Sequence, residues 1–155
     1  MLQMNNILAK EGDLIIKFCT TEVEWEEYHK LRKEKIIDPM GLVYDPNHPS
    51  LTDLNNFHMV LYKEDVIVSA AQVELRDNRE AALRIIATKA HEQGNGYGTY
   101  LLRQIEKWLK DKGISVIKLH SDKNVVELYL KHNYSEMEFD DESIDPEAVD
   151  LGKIL

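Results

Sequence analysis

At 155 residues, 43% of them apolar and 30% charged, the chain has the length and composition of one globular domain with a real core. A formal charge of −9, from 28 acidic against 19 basic residues, argues against binding nucleic acid or an anionic membrane surface. The single cysteine, Cys19, excludes an internal disulfide, and with no membrane-length apolar run and no signal-peptide pattern in residues 1–6 a cytoplasmic protein is expected.

No repeat or linker divides the chain, so a single domain over residues 1–155 is expected. Residues 14–19 read as a strand in which Cys19 is a small apolar residue. Thr21 followed by Glu24 is a capping-box pattern, and Trp25, Tyr28 and Leu31 succeed it at helical spacing. That helix should fade by Ile37, because Pro39 and Gly41 punctuate the chain there. Residues 38–56 are polar, contain Pro39, Pro46 and Pro49, and are long for a structureless loop, so a short helix or a binding role is expected. Residues 57–62 and 66–74 read as a strand pair turned by Lys63-Glu64-Asp65. A turn at residues 76–79 leads to a strand at 82–88. An amphipathic helix then runs from Gly96 to about Lys112, with Leu101, Leu102, Ile105, Trp108 and Leu109 on one face and Gly113 at its end. A strand at 115–120, a short helix at 124–132 and strands at 134–139 and 149–155 complete the order. The fold expected is α/β in the α+β sense: a mixed, largely antiparallel central sheet flanked by helices. One strand–helix–strand crossover should place two strands in parallel.

That crossover contains Gln93-Gly94-Asn95-Gly96-Tyr97-Gly98, three glycines at alternate positions opening a helix. Glycine lets backbone N–H groups approach a ligand and tolerates positive φ, and a helix N-terminus favours an anion. A phosphate or pyrophosphate is the natural ligand. A P-loop would need Lys followed by Ser or Thr, which this loop lacks. A dinucleotide fingerprint would need a third glycine where Thr99 stands, and glycines directly off the strand, whereas Lys89-Ala90-His91-Glu92 intervene. Asp122 could mimic the ribose-binding acid of such a site, so a dinucleotide-binding protein stays as a lesser alternative.

Gln93-x-x-Gly96-x-Gly98, between strand and helix, resembles the Q/R-x-x-G-x-G/A acyl-CoA signature of the GNAT N-acetyltransferase superfamily. The resemblance covers most of the chain. Leu128-Tyr129-Leu130-Lys131-His132-Asn133-Tyr134 is similar to the family's F/L-Y-x-K-x-G-F segment, with Asn133 in place of a glycine that needs an αL-tolerant residue. It implies transfer of an acetyl group from acetyl-CoA to a primary amine by direct attack on the thioester. By the same resemblance, the backbone of Ile86, Ala87 and Thr88 holds the pantetheine arm. Gln93, Gly94, Asn95, Gly96, Tyr97, Gly98 and Thr99 take the pyrophosphate, and Asn124 lies near the pantetheine. Tyr129 is implied as the acid that protonates the departing thiolate.

The base is less well marked. Histone-modifying members carry a glutamate where this chain has Ala82, and Glu74 is the substitute chosen here, with Glu80 and His120 as further candidates. His48 and His58 could face the acceptor, although nothing in their spacing demands it. No histidine pair has ligand-like spacing with a carboxylate, so no metal is expected. The acceptor, a small-molecule or protein amine, should enter between residues 38–56 and the acidic stretch Asp140, Asp141, Glu142, Asp145, Glu147 and Asp150, which would favour a cationic amine. A homodimer paired through the C-terminal strands remains open. So does a non-catalytic acyl-CoA-binding module that regulates a protein partner.

Overall fold

The computed structural model describes residues 6–141 and 143–155. Residues 1–5 and Glu142, on which parts of the leader and acidic-stretch expectations fall, lie outside the described residues. The strands are β1 (Ile7–Glu11), β2 (Leu14–Phe18), β3 (Asn56–Lys63), β4 (Val66–Leu75), β5 (Glu80–Thr88), β6 (Val116–Ser121), β7 (Ser135–Glu136) and β8 (Val149–Ile154). The α-helices are α1 (Glu22–Arg32), α2 (Tyr97–Asp111) and α3 (Val126–Lys131). Among the described residues the strands form an eight-stranded sheet in the order β1-β2-β3-β4-β5-β6-β8-β7. Every neighbouring pair is antiparallel except β5 with β6, the two strands joined by α2. The mixed sheet with one parallel crossover is thus the architecture observed.

Two elements depart from expectation. β1 forms a hairpin with β2 across Gly12 (φ 60°), although residues 7–11 carry no alternating apolar pattern. As an edge strand it is only half-buried, so period-two patterning has little to report. The strand expected at 134–139 shrinks to Ser135–Glu136; Tyr134 and Phe139 on either side are buried anchors rather than ladder residues. Residues 38–56 contain the short 3₁₀ turns Asp38–Met40 and Pro49–Leu51, and α1 continues into a π-helical turn, Lys33–Ile37, before Gly41 (φ 70°) reverses the chain.

α2 lays Leu101, Leu102, Ile105 and Leu109 on one face of the sheet, against Met59, Leu61, Ala71, Val73, Leu83, Ile117, Leu119 and Leu151. Each such side chain stabilises the fold by roughly 1.5–3 kcal/mol when fully buried. α1 covers part of the other face, with Tyr28 and Leu31 against Val60, Ile67 and Ala70. Its start is tied to the sheet by the expected capping box, in which Thr21 Oγ1 accepts from Glu24 N–H (3.2 Å) and Glu24 Oε1 accepts from Thr21 N–H (3.1 Å). The same carboxylate, 1% exposed, accepts from Lys17 Nζ of β2 at 2.6 Å and from the Tyr62 hydroxyl of β3 at 2.8 Å.

Burial by itself would raise the Glu24 pKa. Donation from Lys17, the Thr20 and Thr21 N–H groups and Tyr62 outweighs it and holds the group down at about 2. A carboxylate depressed from 4.5 in this way contributes stability that is complete above pH 4.5 and is lost as pH falls through about 2. Glu24→Gln is therefore expected to cost roughly 3 kcal/mol in urea unfolding near neutral pH. The gap from wild type should close as the pH is lowered across that window.

Candidate functional site

β5 and β6 pair over only three positions, Glu80↔Val116, Ala81↔Ile117 and Ala82↔Lys118. Beyond Ala82, β5 keeps β4 on one side, while β6 continues along β8. A wedge opens between the two strands in mid-sheet. A bulge accompanies the divergence: Val73 faces Leu83 and Gln72 faces Ile85, so Arg84 is the extra residue. Bulges bend a strand and increase its twist. The wall of the wedge beyond it is Ile86, Ala87 and Thr88, with Ala87 buried and Ile86 and Thr88 half-buried. The Thr88 hydroxyl is held by Ser69 at 2.8 Å.

The glycine loop stands at the open end of this wedge. After a 3₁₀ turn, Ala90–Glu92, the Gln93 amide donates to the Thr88 carbonyl at 3.4 Å and the Asn95 amide donates to the Glu92 carbonyl at 3.1 Å. Gly94 (φ 85°) and Gly96 (φ 81°) adopt the left-handed conformation that side chains disfavour. Gly96 is the N-cap of α2 and supplies no side-chain acceptor. The first helical bond is Tyr100 N–H to the Gly96 carbonyl (2.9 Å), which leaves the amides of Tyr97, Gly98 and Thr99 as the donors of the first turn. Residues 93–96 are exposed and Tyr97, Gly98 and Thr99 half-buried.

Tyr129 lies on α3, the helix that follows β6, 7% exposed and packed edge-to-face on Tyr134 with ring centroids 5.5 Å apart. Burial pushes its hydroxyl up to about 12, so it is protonated at neutral pH. Tyr134 is anchored in turn by donating to Glu106 of α2 at 2.7 Å. Asn133, at φ 70°, makes the left-handed turn required of it, and Tyr134 N–H returns to the Tyr129 carbonyl at 3.1 Å. Asn124 lies exposed in the β6–α3 turn, its N–H held by Asp122 Oδ1 at 2.8 Å.

The opposite face of the wedge is polar. His120 of β6 has its Nδ1 at 2.7 Å from Asp150 Oδ1, while its Nε2 is buried without a hydrogen-bond partner, 3.9 Å from Asp141. Phe139 packs against the His120 ring at 4.4 Å. Glu74 accepts from Arg84 at 2.6 Å and lies 3.4 Å from Arg76; Glu80 is bound by Arg76 (2.9 Å) and Lys118 (2.8 Å). Both carboxylates are therefore neutralised by close cations. The acidic stretch is largely engaged as well, Asp141 with Arg84, Asp140 with Arg76, Glu147 with Lys123 and Asp150 with His120. A groove of about 760 Å³ runs past Asn55, Arg76, Glu80, Lys118 and Met137 at the closed end of the wedge, away from the glycine loop.

His48 is exposed and caps its own turn by accepting from Ser50 N–H. His58 is buried, accepts from the Tyr28 hydroxyl at Nδ1 (2.7 Å), faces the Ser50 carbonyl through Nε2 (3.1 Å), and is lowered to about 4 by burial. Burial likewise pushes the Cys19 thiol up to about 12, consistent with a small apolar role. Two features escaped the sequence reading. One is the pairing of His120 with Asp150, which are separated by thirty positions. The other is Arg32, which does have a signal: it continues the Trp25–Tyr28 stripe by one further turn, placing a charge on the buried side of α1.

Residues 19–134 match the acetyltransferase (GNAT) family model. The uncharacterized N-acetyltransferase YjcF of Bacillus subtilis is 31% identical over 104 residues, 64% of this chain and 74% of that protein. The ribosomal-protein-S18-alanine N-acetyltransferase of Escherichia coli shares the fold with a TM-score of 0.70 at 17% identity, covering 91% of this chain and 93% of that one. An aminoglycoside 6′-N-acetyltransferase solved with coenzyme A does so with a TM-score of 0.74 at 14% identity, covering 90% and 96%.

The turn below Tyr129 can be tested by itself. Asn133→Ala should lower stability by about 1 kcal/mol, whereas Asn133→Gly should leave it unchanged or slightly raised, because only the alanine pays for positive φ. Thermal melts of the two variants read this difference.

Proposed function

The chain belongs to the acetyltransferase (GNAT) family, and on that premise we propose that it is an N-acetyltransferase that moves an acetyl group from acetyl-CoA to a primary amine. One observation carries the reading. It is the combination of a strand edge released from its neighbour with a helix start that has left-handed glycines and no side-chain cap, and a buried protonated tyrosine on the helix after β6 supports it further.

The released edge at Ile86, Ala87 and Thr88 offers unpaired backbone groups to the pantetheine amides, as in strand addition. The Ile86 N–H is assigned to the thioester oxygen, where negative charge develops on attack. The amides of residues 94–99, the positive end of α2 and the Gln93 side chain receive the pyrophosphate, an arrangement worth about 0.3–1 kcal/mol per anionic group, or up to about 2 when partly buried. We assign Asn124 to the pantetheine arm. The chemistry forms a C–N bond and breaks a C–S bond. Tyr129 gives its proton to the leaving sulfur. The attacking nitrogen must lose a proton, and an alkylamine with a pKa about 10.4 has little free base at pH 7. Of the candidate bases, Glu74 and Glu80 are bound by guanidinium or ammonium groups. His120 is better suited: Asp150 takes its Nδ1–H, which leaves Nε2, covered and without a hydrogen-bond partner, as the nitrogen assigned to take the proton. We assign the whole activity to one domain over residues 1–155, acting in the cytoplasm.

The assay is release of CoA thiol from acetyl-CoA in the presence of an amine panel. Tyr129→Phe should lower kcat roughly 100-fold, within the usual range for a general acid, with CoA affinity little changed. His120→Gln should give a loss of similar size, and Asp150→Asn a smaller one. Unchanged turnover in either of the first two variants removes that residue from the mechanism. Acetyl-CoA binding without thiol release to any amine would instead identify a non-catalytic acyl-CoA-binding module.

A further inference from the structure

The guanidinium of Arg32 is a buried charge outside every ion pair among the described residues. The residue is 9% exposed, at the last position of α1, above β4. Its Nη1 donates to Gln72 Oε1 and lies 3.5 Å from the Tyr28 hydroxyl. Those two acceptors use both Nη1 hydrogens. Among the described residues no carboxylate pairs with it, and its Nε is buried with no hydrogen-bond partner. The neighbours are neutral. Tyr28 donates onward to His58, Gln72 donates to Asn56 at 2.8 Å, and His29 and His58 are both held below the ordinary histidine range by burial first and by this same charge. A buried cation is normally paired, because removing it from water is costly unless an anion compensates. Here the protein satisfies Nη1 and closes over Nε, and among the described residues no acceptor meets Nη2, the one nitrogen left open to an incoming group. A carboxylate is the natural acceptor for that nitrogen, because a hydrogen bond between ionised partners is stronger than one between neutral groups.

Its position connects it to the wedge. Gln72 faces His58 on β3 and Ile85 on β5, so these residues form one row across the α1 side of the sheet. The row ends where β5 has parted from β6, and His120 stands on the far bank on the same side. With strands about 4.8 Å apart, the guanidinium over Gln72 is one to two strand spacings, roughly 5–10 Å, from the place where an amine would meet the thioester.

We propose that Arg32 is the specificity residue of the acceptor site and that the acceptor is an amine carrying a carboxylate roughly 5–10 Å from its nitrogen, as in a free diamino acid or an ω-amino acid. This rests on the acetyltransferase reading. It runs against a polyamine-like acceptor, for which the engaged carboxylates of residues 140–150 leave few free partners.

The test uses pairs that differ only in the carboxylate: lysine with cadaverine, ornithine with putrescine, and 4-aminobutyrate with propylamine. With acetyl-CoA and the wild-type protein, the carboxylate members should be favoured at least about 10-fold in kcat/KM, the size expected when a charged hydrogen-bond partner is lost. Arg32→Gln should abolish the preference by raising KM for the carboxylate members with kcat retained, and Arg32→Lys should keep part of it. If Arg32→Gln does not fold, as judged by its melting curve, the wild-type comparison decides alone. Equal use of both members, or preference for the decarboxylated ones, overturns the proposal. If nothing turns over, calorimetry with CoA-loaded protein decides: tighter binding of the carboxylate members supports it, and equal or undetectable binding overturns it. Failure of acetyl-CoA to raise Tm would refute the acetyltransferase reading separately.

Discussion

The parting of β5 from β6 after Ala82 is the constraint around which the rest of the molecule is arranged. A strand in mid-sheet normally satisfies its N–H and C=O groups on both sides, and leaving one side unpaired is costly unless water or a ligand replaces the ladder. The parallel pairing at Glu80, Ala81 and Ala82 holds the two strands together at one end, and the bulge at Arg84 bends β5 just beyond. The α2 crossover that parallel pairing requires then carries the glycine loop to the open end. The free edge and the helix N-terminus thus arise from one topological feature.

The two faces of the wedge divide the work. On the α2 side the packing is apolar and close, from Leu101 to Leu151, and it keeps α2 and Tyr134 in place beneath Tyr129. On the α1 side, polar groups predominate. There Arg76, Arg84, Glu74, Asp141, His120 and Asp150 form linked ion pairs, with Phe139 closing over the histidine and both guanidiniums. Phe139 and Asp141 supply two of these partners. A segment that reads in the sequence as a solvated acidic run is in this way joined to the sheet.

Much of the frame was legible because it obeys short-range rules. The Thr21–Glu24 capping box, the α2 stripe, the glycines at 94 and 96 and the left-handed Asn133 each report a local backbone requirement. What escaped was either edge structure or long-range pairing. β1 buries too little to pattern its sequence, and β7 was overextended because Tyr134 and Phe139 are apolar for packing and not for alternation. The surroundings of Glu74 illustrate the same limit. Its position late in β4 was readable, yet its capture by Arg84 depends on the bulge and on the strand returning beside it.

By itself the sequence determined the family, the order of elements from β2 onward and the position of the glycine turn, because glycine spacing and helix periodicity act within a few positions of the chain. Only the tertiary structure decided which charges are free and which are spent. His120 meets Asp150, Arg84 meets Asp141, and Arg32 meets no carboxylate among the described residues. Electrostatic character is set by what lies within a few ångströms in space, and those partners come from strands and turns distant in the chain. The glycine loop could therefore be read from the sequence as a backbone feature, whereas the polar side of the wedge took its character from the sheet that assembles it.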